Sequence, residues 1–310
     1  MSPRRRPQPC DVRPPVEQEA PVIPAEFRYV RPATLADALR LLRDEPDARP
    51  LAGGQSLLTL LKTRVVRPAL VVDLGALTEL RELRRDDDTF TVGAMVTMAT
   101  LARDDAVRES ASILPRTLTH VADVQVRNRG TLGGSLAYGD PAGDLAGAAI
   151  AAGASVRVVS ADGERVVPVA ELYAGPFATV LAPGELVAEI LVPRHDGART
   201  AYHAIARRPA DPTLAGVAVV ARFDGDTVAD VGLGLVGLAD RPLAAVTTAG
   251  ALRGNALTPD TVAAAVTALA GEIAPVDSTA GSARYRRAIA PAALERALRD
   301  VEQDREMAKA

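Results

Sequence analysis

Apolar and polar positions alternate along this chain in stretches whose period changes from one stretch to the next, and the changes mark elements. Phe27 to Val30 reads as a short strand. Thr34-Leu35-Ala36-Asp37 then opens a helix whose apolar positions are Ala38, Leu39, Leu41 and Leu42. A hydroxyl residue followed three places on by an acid, just ahead of a helical apolar run, is a capping-box-like start. Arg49 to Leu51 leads into Ala52-Gly53-Gly54-Gln55-Ser56, a helical stretch covers Leu57 to Thr63, and Ala69 to Asp73 forms an apolar strand. The order strand, helix, strand, helix, strand predicts a small α/β subdomain.

From Leu80 the pattern changes. A strand, the acidic turn Asp86-Asp87-Asp88 and the alternating run Thr89-Phe90-Thr91-Val92 predict a hairpin. Helical patterns follow over Thr97 to Ala102 and Ile113 to Ala122, and a glycine-rich loop is expected over Arg127 to Ser135. Strands are expected again at Ser155 to Val159, Arg165 to Val169 and Leu186 to Val192, which makes this second unit α+β. Past Pro193 come three strands, about Thr200 to Arg207, Gly216 to Phe223 and Val228 to Leu235, and then helices around Pro259 to Leu269 and Gly281 to Leu298. That is a separate C-terminal α+β domain.

Composition narrows the function classes. At 310 residues, with 48% hydrophobic and 24% charged residues, the chain has the make-up of a packed globular protein of about two domains. A net charge of −3 supplies no basic field for nucleic acid. Cys10 is the single cysteine, so no disulfide, thiolate zinc site or iron–sulfur cluster can be assembled from this chain alone. No apolar run approaches the ~20 residues that span a bilayer, so no membrane insertion is expected. Met1 to Pro24 is rich in proline, carries Arg4-Arg5-Arg6 and has no apolar core of a secretion signal. It is expected to be a disordered tail on a cytoplasmic protein.

Chemistry concentrates in two motifs. In Leu51-Ala52-Gly53-Gly54-Gln55-Ser56-Leu57-Leu58, paired glycines lie between a strand and a helix. Glycines let backbone N–H groups approach a ligand, and a following helix N-terminus favours an anion, so a diphosphate is the expected guest. The plain alternative, a tight turn with no ligand, is the commoner case for one isolated Gly-Gly-x-Ser. Arg127-Asn128-Arg129-Gly130-Thr131-Leu132-Gly133-Gly134-Ser135 repeats the arrangement, and Asp144 follows nine residues later at an apparent helix start, where capping is its plain role. Two such loops in one chain fit a dinucleotide, whose oxygens need donors from more than one direction.

The stretch from Ala52 to Leu58 through Lys62 to Val72-Asp73, then Val92-Gly93-Ala94, then Gln125 to Ser135 with Asp140-Pro141-Ala142-Gly143-Asp144, resembles the FAD-binding medium subunits of the xanthine dehydrogenase and carbon monoxide dehydrogenase type of molybdenum hydroxylase. The resemblance extends over about residues 25 to 300. It implies an α+β fold in which FAD lies between two subdomains of the vanillyl-alcohol-oxidase or PCMH type, followed by a C-terminal α+β domain. On that reading residues 25–195 form the FAD-binding domain, with halves of about 25–80 and 81–195, residues 196–300 form the C-terminal domain, and 1–24 and 301–310 are tails. Asp211 and Gly281 to Arg287 look like the third domain's usual marks.

The resemblance further implies that Leu51 to Leu58 and Thr131, Leu132, Gly133, Gly134 and Ser135 hold the pyrophosphate and adjoining sugar, and that Asp144 contacts the cofactor. No residue of the chain is then catalytic or metal-binding. The resemblance places the 2Fe–2S clusters on a small partner subunit and the molybdopterin cofactor on a large one. One departure stands out: Tyr202-His203-Ala204-Ile205-Ala206-Arg207-Arg208 lacks a lysine that many relatives carry shortly before the arginine pair.

 The expected assembly is therefore a dimer of heterotrimers, each holding this chain, a small 2Fe–2S chain and a large molybdopterin chain.

Other signals carry less. Gly232-Leu233-Gly234-Leu235-Val236-Gly237 is formally a GxGxxG, but it lies inside an alternating strand and runs into a turn, whereas a nucleotide fingerprint follows a strand and opens a helix. His120, His195 and His203 are too scattered to suggest a metal site. Neither glycine motif completes a G-x-S-x-G nucleophile elbow, and no P-loop ending occurs. The leading expectation is an electron-transfer subunit that passes electrons from a partner's 2Fe–2S clusters through FAD to an acceptor. Two alternatives stay open: a free-standing FAD-dependent oxidase with its own substrate, and a nucleotide-binding regulatory protein without redox activity.

Overall fold

The computed structural model describes residues 23–308. Cys10 and nearly all of the expected N-terminal tail lie outside them. The first subdomain runs β1 (Arg28–Val30), α1 (Leu35–Asp44), β2 (Arg49–Leu51), α2 (Leu57–Lys62) and β3 (Leu70–Asp73). Thr34 caps α1 by accepting from the Asp37 N–H at 3.2 Å, and Ala38, Leu39 and Leu42 form its buried stripe. The three strands make a parallel sheet in the order β1-β3-β2. Their core also takes in Met95, Leu186 and Ala188, which belong to the next subdomain, so the two halves share apolar packing.

The second subdomain begins with the hairpin β4 (Leu83–Arg85) and β5 (Thr89–Gly93). Five helices follow: α3 (Met98–Arg103), α4 (Asp105–Ser110), α5 (Ile113–Leu118), α6 (Val124–Arg129) and α7 (Leu132–Tyr138). Then come α8 (Asp144–Ala151), β6 (Ser155–Ser160), β7 (Gly163–Pro168), the small hairpin β8 (Tyr173–Gly175) and β9 (Ala178–Thr179), and β10 (Leu186–Pro193). The main sheet is antiparallel in the order β4-β5-β10-β6-β7. Two expectations change here. The helix expected over Ile113 to Ala122 ends at Leu118, because Asp123 caps a new helix by accepting from the Val126 N–H. The glycine-rich loop expected over Arg127 to Ser135 is mostly helical, with only Gly130 and Thr131 between α6 and α7.

The C-terminal domain is an antiparallel sheet of β11 (Arg199–Ile205), β12 (Ala215–Asp224), β13 (Thr227–Val236) and β14 (Leu243–Ala244), in sequence order. Helices α9 (Val246–Leu252), α10 (Pro259–Glu272) and α11 (Ala283–Met307) complete it. Residues 301–307, expected as tail, instead continue α11. Val301 is fully buried there, and Arg305 binds Glu302 and Asp226. Tyr202, Ala218 and Val220 of this sheet join the second subdomain's core, so the helices between the two sheets are covered on both sides. No helix among the described residues is long and apolar enough to cross a membrane.

Candidate functional site

The first glycine turn leaves the end of β2, where Leu51 lies opposite Asp73 of β3. The chain reverses into α2 through Gly54, at φ +78°, a left-handed conformation in which a side chain is strained. Gly53 is required for another reason. A Cβ there would lie 2.1 Å from the Arg129 carbonyl oxygen and 2.8 Å from the Gly130 Cα, so the first turn rests directly on the second motif.

The polar groups of this turn are unspent. Ser56 precedes α2 without capping it, and the N–H groups of Gly53, Gly54, Gln55, Ser56 and Leu57 donate to no acceptor among the described residues. The helix closes only from Leu58 onward, whose N–H reaches the Gly54 carbonyl at 3.1 Å. Gln55 turns its amide back to the Gly53 carbonyl at 3.2 Å, while Leu51, Ala52 and Leu57 are half-buried and Leu58 is 41% exposed. With only six residues, α2 has little dipole to offer, so the donors that matter are the loop amides themselves.

The second motif differs. Thr131 caps α7 by accepting from the Gly134 N–H, and the N–H groups of Leu132, Gly133 and Ser135 bond to the carbonyls of Val96, Ala94 and Thr131 at 3.0–3.1 Å. These amides are turned into the protein. Gly133 is glycine because a Cβ would lie 2.4 Å from the Ala94 Cβ, and a Cβ on Gly134 would press on Thr131 Oγ1 and Ala52. The glycines here let α7 pack against the end of β5 and the first turn. What remains free among the described residues is the Thr131 N–H and the Ser135 hydroxyl.

Asp144 does not cap. Gly143 holds the N-cap position and Asp144 is the first residue of α8. Its Oδ1 accepts from the Tyr202 hydroxyl on β11 and from the Thr213 hydroxyl, just before β12, at 2.6 Å. Burial pushes the Asp144 carboxyl up to about 6, the Thr213 and Tyr202 hydrogen bonds pull it back, and Asp140 adds repulsion. Tyr202 and Thr213 are the members of this cluster that the sequence did not reveal. Tyr202 looks like any inward residue of an alternating strand, and Thr213 like any loop hydroxyl.

The formal GxGxxG is a packing device. A Cβ on Gly234 would lie 1.9 Å from the Gly147 carbonyl oxygen, and one on Gly232 would lie 2.0 Å from that of Ala151. These glycines let α8 lie on β13. The histidines have separate lodgings: His120 is edge-on to Tyr202 with centroids 5.4 Å apart, His195 Nε2 is 2.8 Å from the Ala152 carbonyl, and His203 Nε2 receives Arg296 Nη1 at 3.3 Å. Among the described residues no group of three His, Cys, Asp or Glu could hold a metal ion.

Comparison with known proteins fits this geometry. Residues 25–195 match the family described as the FAD binding domain in molybdopterin dehydrogenase, and residues 200–301 match the CO dehydrogenase flavoprotein C-terminal domain. The glyceraldehyde dehydrogenase medium chain of Sulfolobus acidocaldarius is 34% identical over 90% of this chain and 99% of its own length. The carbon monoxide dehydrogenase medium chain of Afipia carboxidovorans is 35% identical over 89% of this chain and 97% of its own. Among solved structures, carbon monoxide dehydrogenase from Hydrogenophaga pseudoflava superposes with a TM-score of 0.88 at 35% identity, covering 91% of this chain and 99% of that one. Quinoline 2-oxidoreductase from Pseudomonas putida gives 0.85 at 33% identity, covering 90% and 98%. The chain belongs to the FAD-binding family of the molybdopterin dehydrogenases, as a flavoprotein subunit of an oxidoreductase.

Proposed function

We propose that the chain is the flavin relay of a multi-subunit molybdenum hydroxylase, taking electrons from 2Fe–2S clusters on a small partner while a large molybdopterin partner hydroxylates the substrate. The observation that carries this reading is the run of amides from Gly53 to Leu57 with no acceptor among the described residues, beside a second motif that holds them in place. Backbone N–H groups left open at a strand-to-helix turn suit the oxygens of a diphosphate. The donor set therefore fits FAD.

Bound FAD supplies the redox chemistry, and the protein supplies position and electrostatics. The Gly53 to Leu57 amides and the Ser56 hydroxyl hold the diphosphate, with the Thr131 N–H and the Ser135 hydroxyl adding donors from the second motif. Asp144 is an acceptor and repels phosphate, so it serves a sugar or ribityl hydroxyl instead. Leu51 and Ala52 flank the donors, while Leu132, Gly133 and Gly134 serve from beneath, packing α7 against Ala94 and Ala52 so that the first turn is supported. The chain's single cysteine cannot ligate a cluster, so the 2Fe–2S clusters of this reading belong to a partner. Relatives named as medium chains support an assembly with a small and a large subunit; its arrangement as a dimer of heterotrimers is part of the proposal.

Purification of the full-length chain with its bound partners tests this. Iron, molybdenum and FAD should co-purify with it in a complex of three chain types. A monomeric flavoprotein that oxidises a small organic molecule unaided would favour the free-standing oxidase.

A further inference from the structure

We propose that Tyr202 and Thr213 are positioning residues that set the Asp144 carboxylate, so that this part of the flavin site is fixed by the C-terminal domain and not by the subdomain that carries it. The inference rests on the FAD reading of the site. Among the described residues, both hydrogen bonds to Asp144 come from the C-terminal domain and none from its own subdomain. Gly143 leaves the start of α8 without a side-chain cap, so nothing local fixes the carboxylate's rotamer.

The two donors are themselves held. Arg286 on α11 gives Nη1 to the carbonyls of Leu214 at 2.9 Å and Gly237 at 3.0 Å, and Nη2 to Ser278 Oγ at 2.9 Å. Its guanidinium therefore anchors the segment that presents Thr213. Gly237 N–H in turn donates to the Pro141 carbonyl at 2.8 Å, which ties the same anchor to the turn ahead of α8. Tyr202 is buried, and Gly216 leaves just the space its hydroxyl needs, since a Cβ there would lie 2.5 Å from the oxygen. The body of α8 is pressed on β13 at Gly147–Gly234 and Ala151–Gly232. Helix and carboxylate are thus both located by the C-terminal sheet.

The physical reason is the cost of a half-dry charge. A carboxylate away from water needs hydrogen-bond donors to stay ionised and oriented. Asp144 Oδ1 receives two, which leaves Oδ2 available to a cofactor hydroxyl.

FAD titration into flavin-free, full-length protein tests the proposal, read by flavin absorbance and fluorescence. Tyr202→Phe and Thr213→Val should each weaken FAD binding roughly ten-fold, the scale of one lost hydrogen bond to a charged group. Thr213→Ser, which keeps the hydroxyl, should bind like the parent. In an Asp144→Ala background, which removes the acceptor, Tyr202→Phe should add less than about two-fold, because Tyr202 acts through that carboxylate. A merely structural role would give additive losses and no rescue by serine, and that result overturns the proposal, as does unchanged affinity in folded Tyr202→Phe. Should Tyr202→Phe fail to fold, the Thr213→Val and Thr213→Ser pair decides alone. A parent chain that takes up no FAD fails the functional reading itself, whereas a yellow parent with unaffected variants fails only the positioning role.

Discussion

Asp144→Asn should stabilise the flavin-free protein, and by more at alkaline than at acid pH. Burial raises the folded-state carboxyl from 3.8 to about 6. A raised carboxyl contributes stability below its unfolded value and loses it as pH climbs through its folded value, so above about 6 the native state carries an unfavourable charge. At about 1.4 kcal/mol per pH unit, the cost is about 3 kcal/mol by pH 8 and about half that at pH 5. Asparagine keeps an oxygen that can accept from Tyr202 and Thr213 and carries no charge at either pH. At roughly 2 °C per kcal/mol for a chain of this size, its melting temperature should rise by about 5 °C at pH 8 and about half as much at pH 5. Thermal melts of both proteins at the two pH values provide the assay. A variant no more stable than the parent at pH 8, or one whose gain is the same at both, refutes the reasoning. On the proposed reading, the same substitution should weaken FAD binding.

Gly53→Ala should lower stability by about 1–3 kcal/mol and release flavin, because its Cβ would meet the Arg129 carbonyl at 2.1 Å; a melt together with the flavin content of the purified variant checks both. Gly234→Ala should destabilise by a similar amount and weaken FAD binding at a distance, since α8 would have to lift from β13 and carry Asp144 with it. Normal stability and flavin content in Gly234→Ala would show that this packing is not needed. Denaturing the purified protein should release FAD and not FMN, as chromatography of the supernatant will show.

Much of the fold is legible in the sequence where one element carries its own signals. The Thr34 cap with Ala38, Leu39 and Leu42 defines α1, and the alternation around Phe90 and Val92 defines β5. Helices α3 to α7 are harder, because six or seven residues give less than two turns of periodicity and their boundaries depend on caps such as Asp104 and Asp123. Gly133 and Gly134 read as loop by composition, yet they are helical because Ala94 and Ala52 lie against them. The open amides of Gly53 to Leu57 follow from a visible motif, whereas the partners of Asp144 lie 58 and 69 residues away. No local pattern records such contacts. The end of α11 was hidden for the same reason, since Arg305 finds Asp226 only in the folded chain.

The most direct test of the relay follows flavin absorbance near ~450 nm under anaerobic conditions, in the chain alone and in its purified complex. The account predicts that the substrate turned over by the complex bleaches the flavin there and leaves it yellow in the isolated chain. Bleaching of the isolated chain's own FAD by that substrate would contradict it.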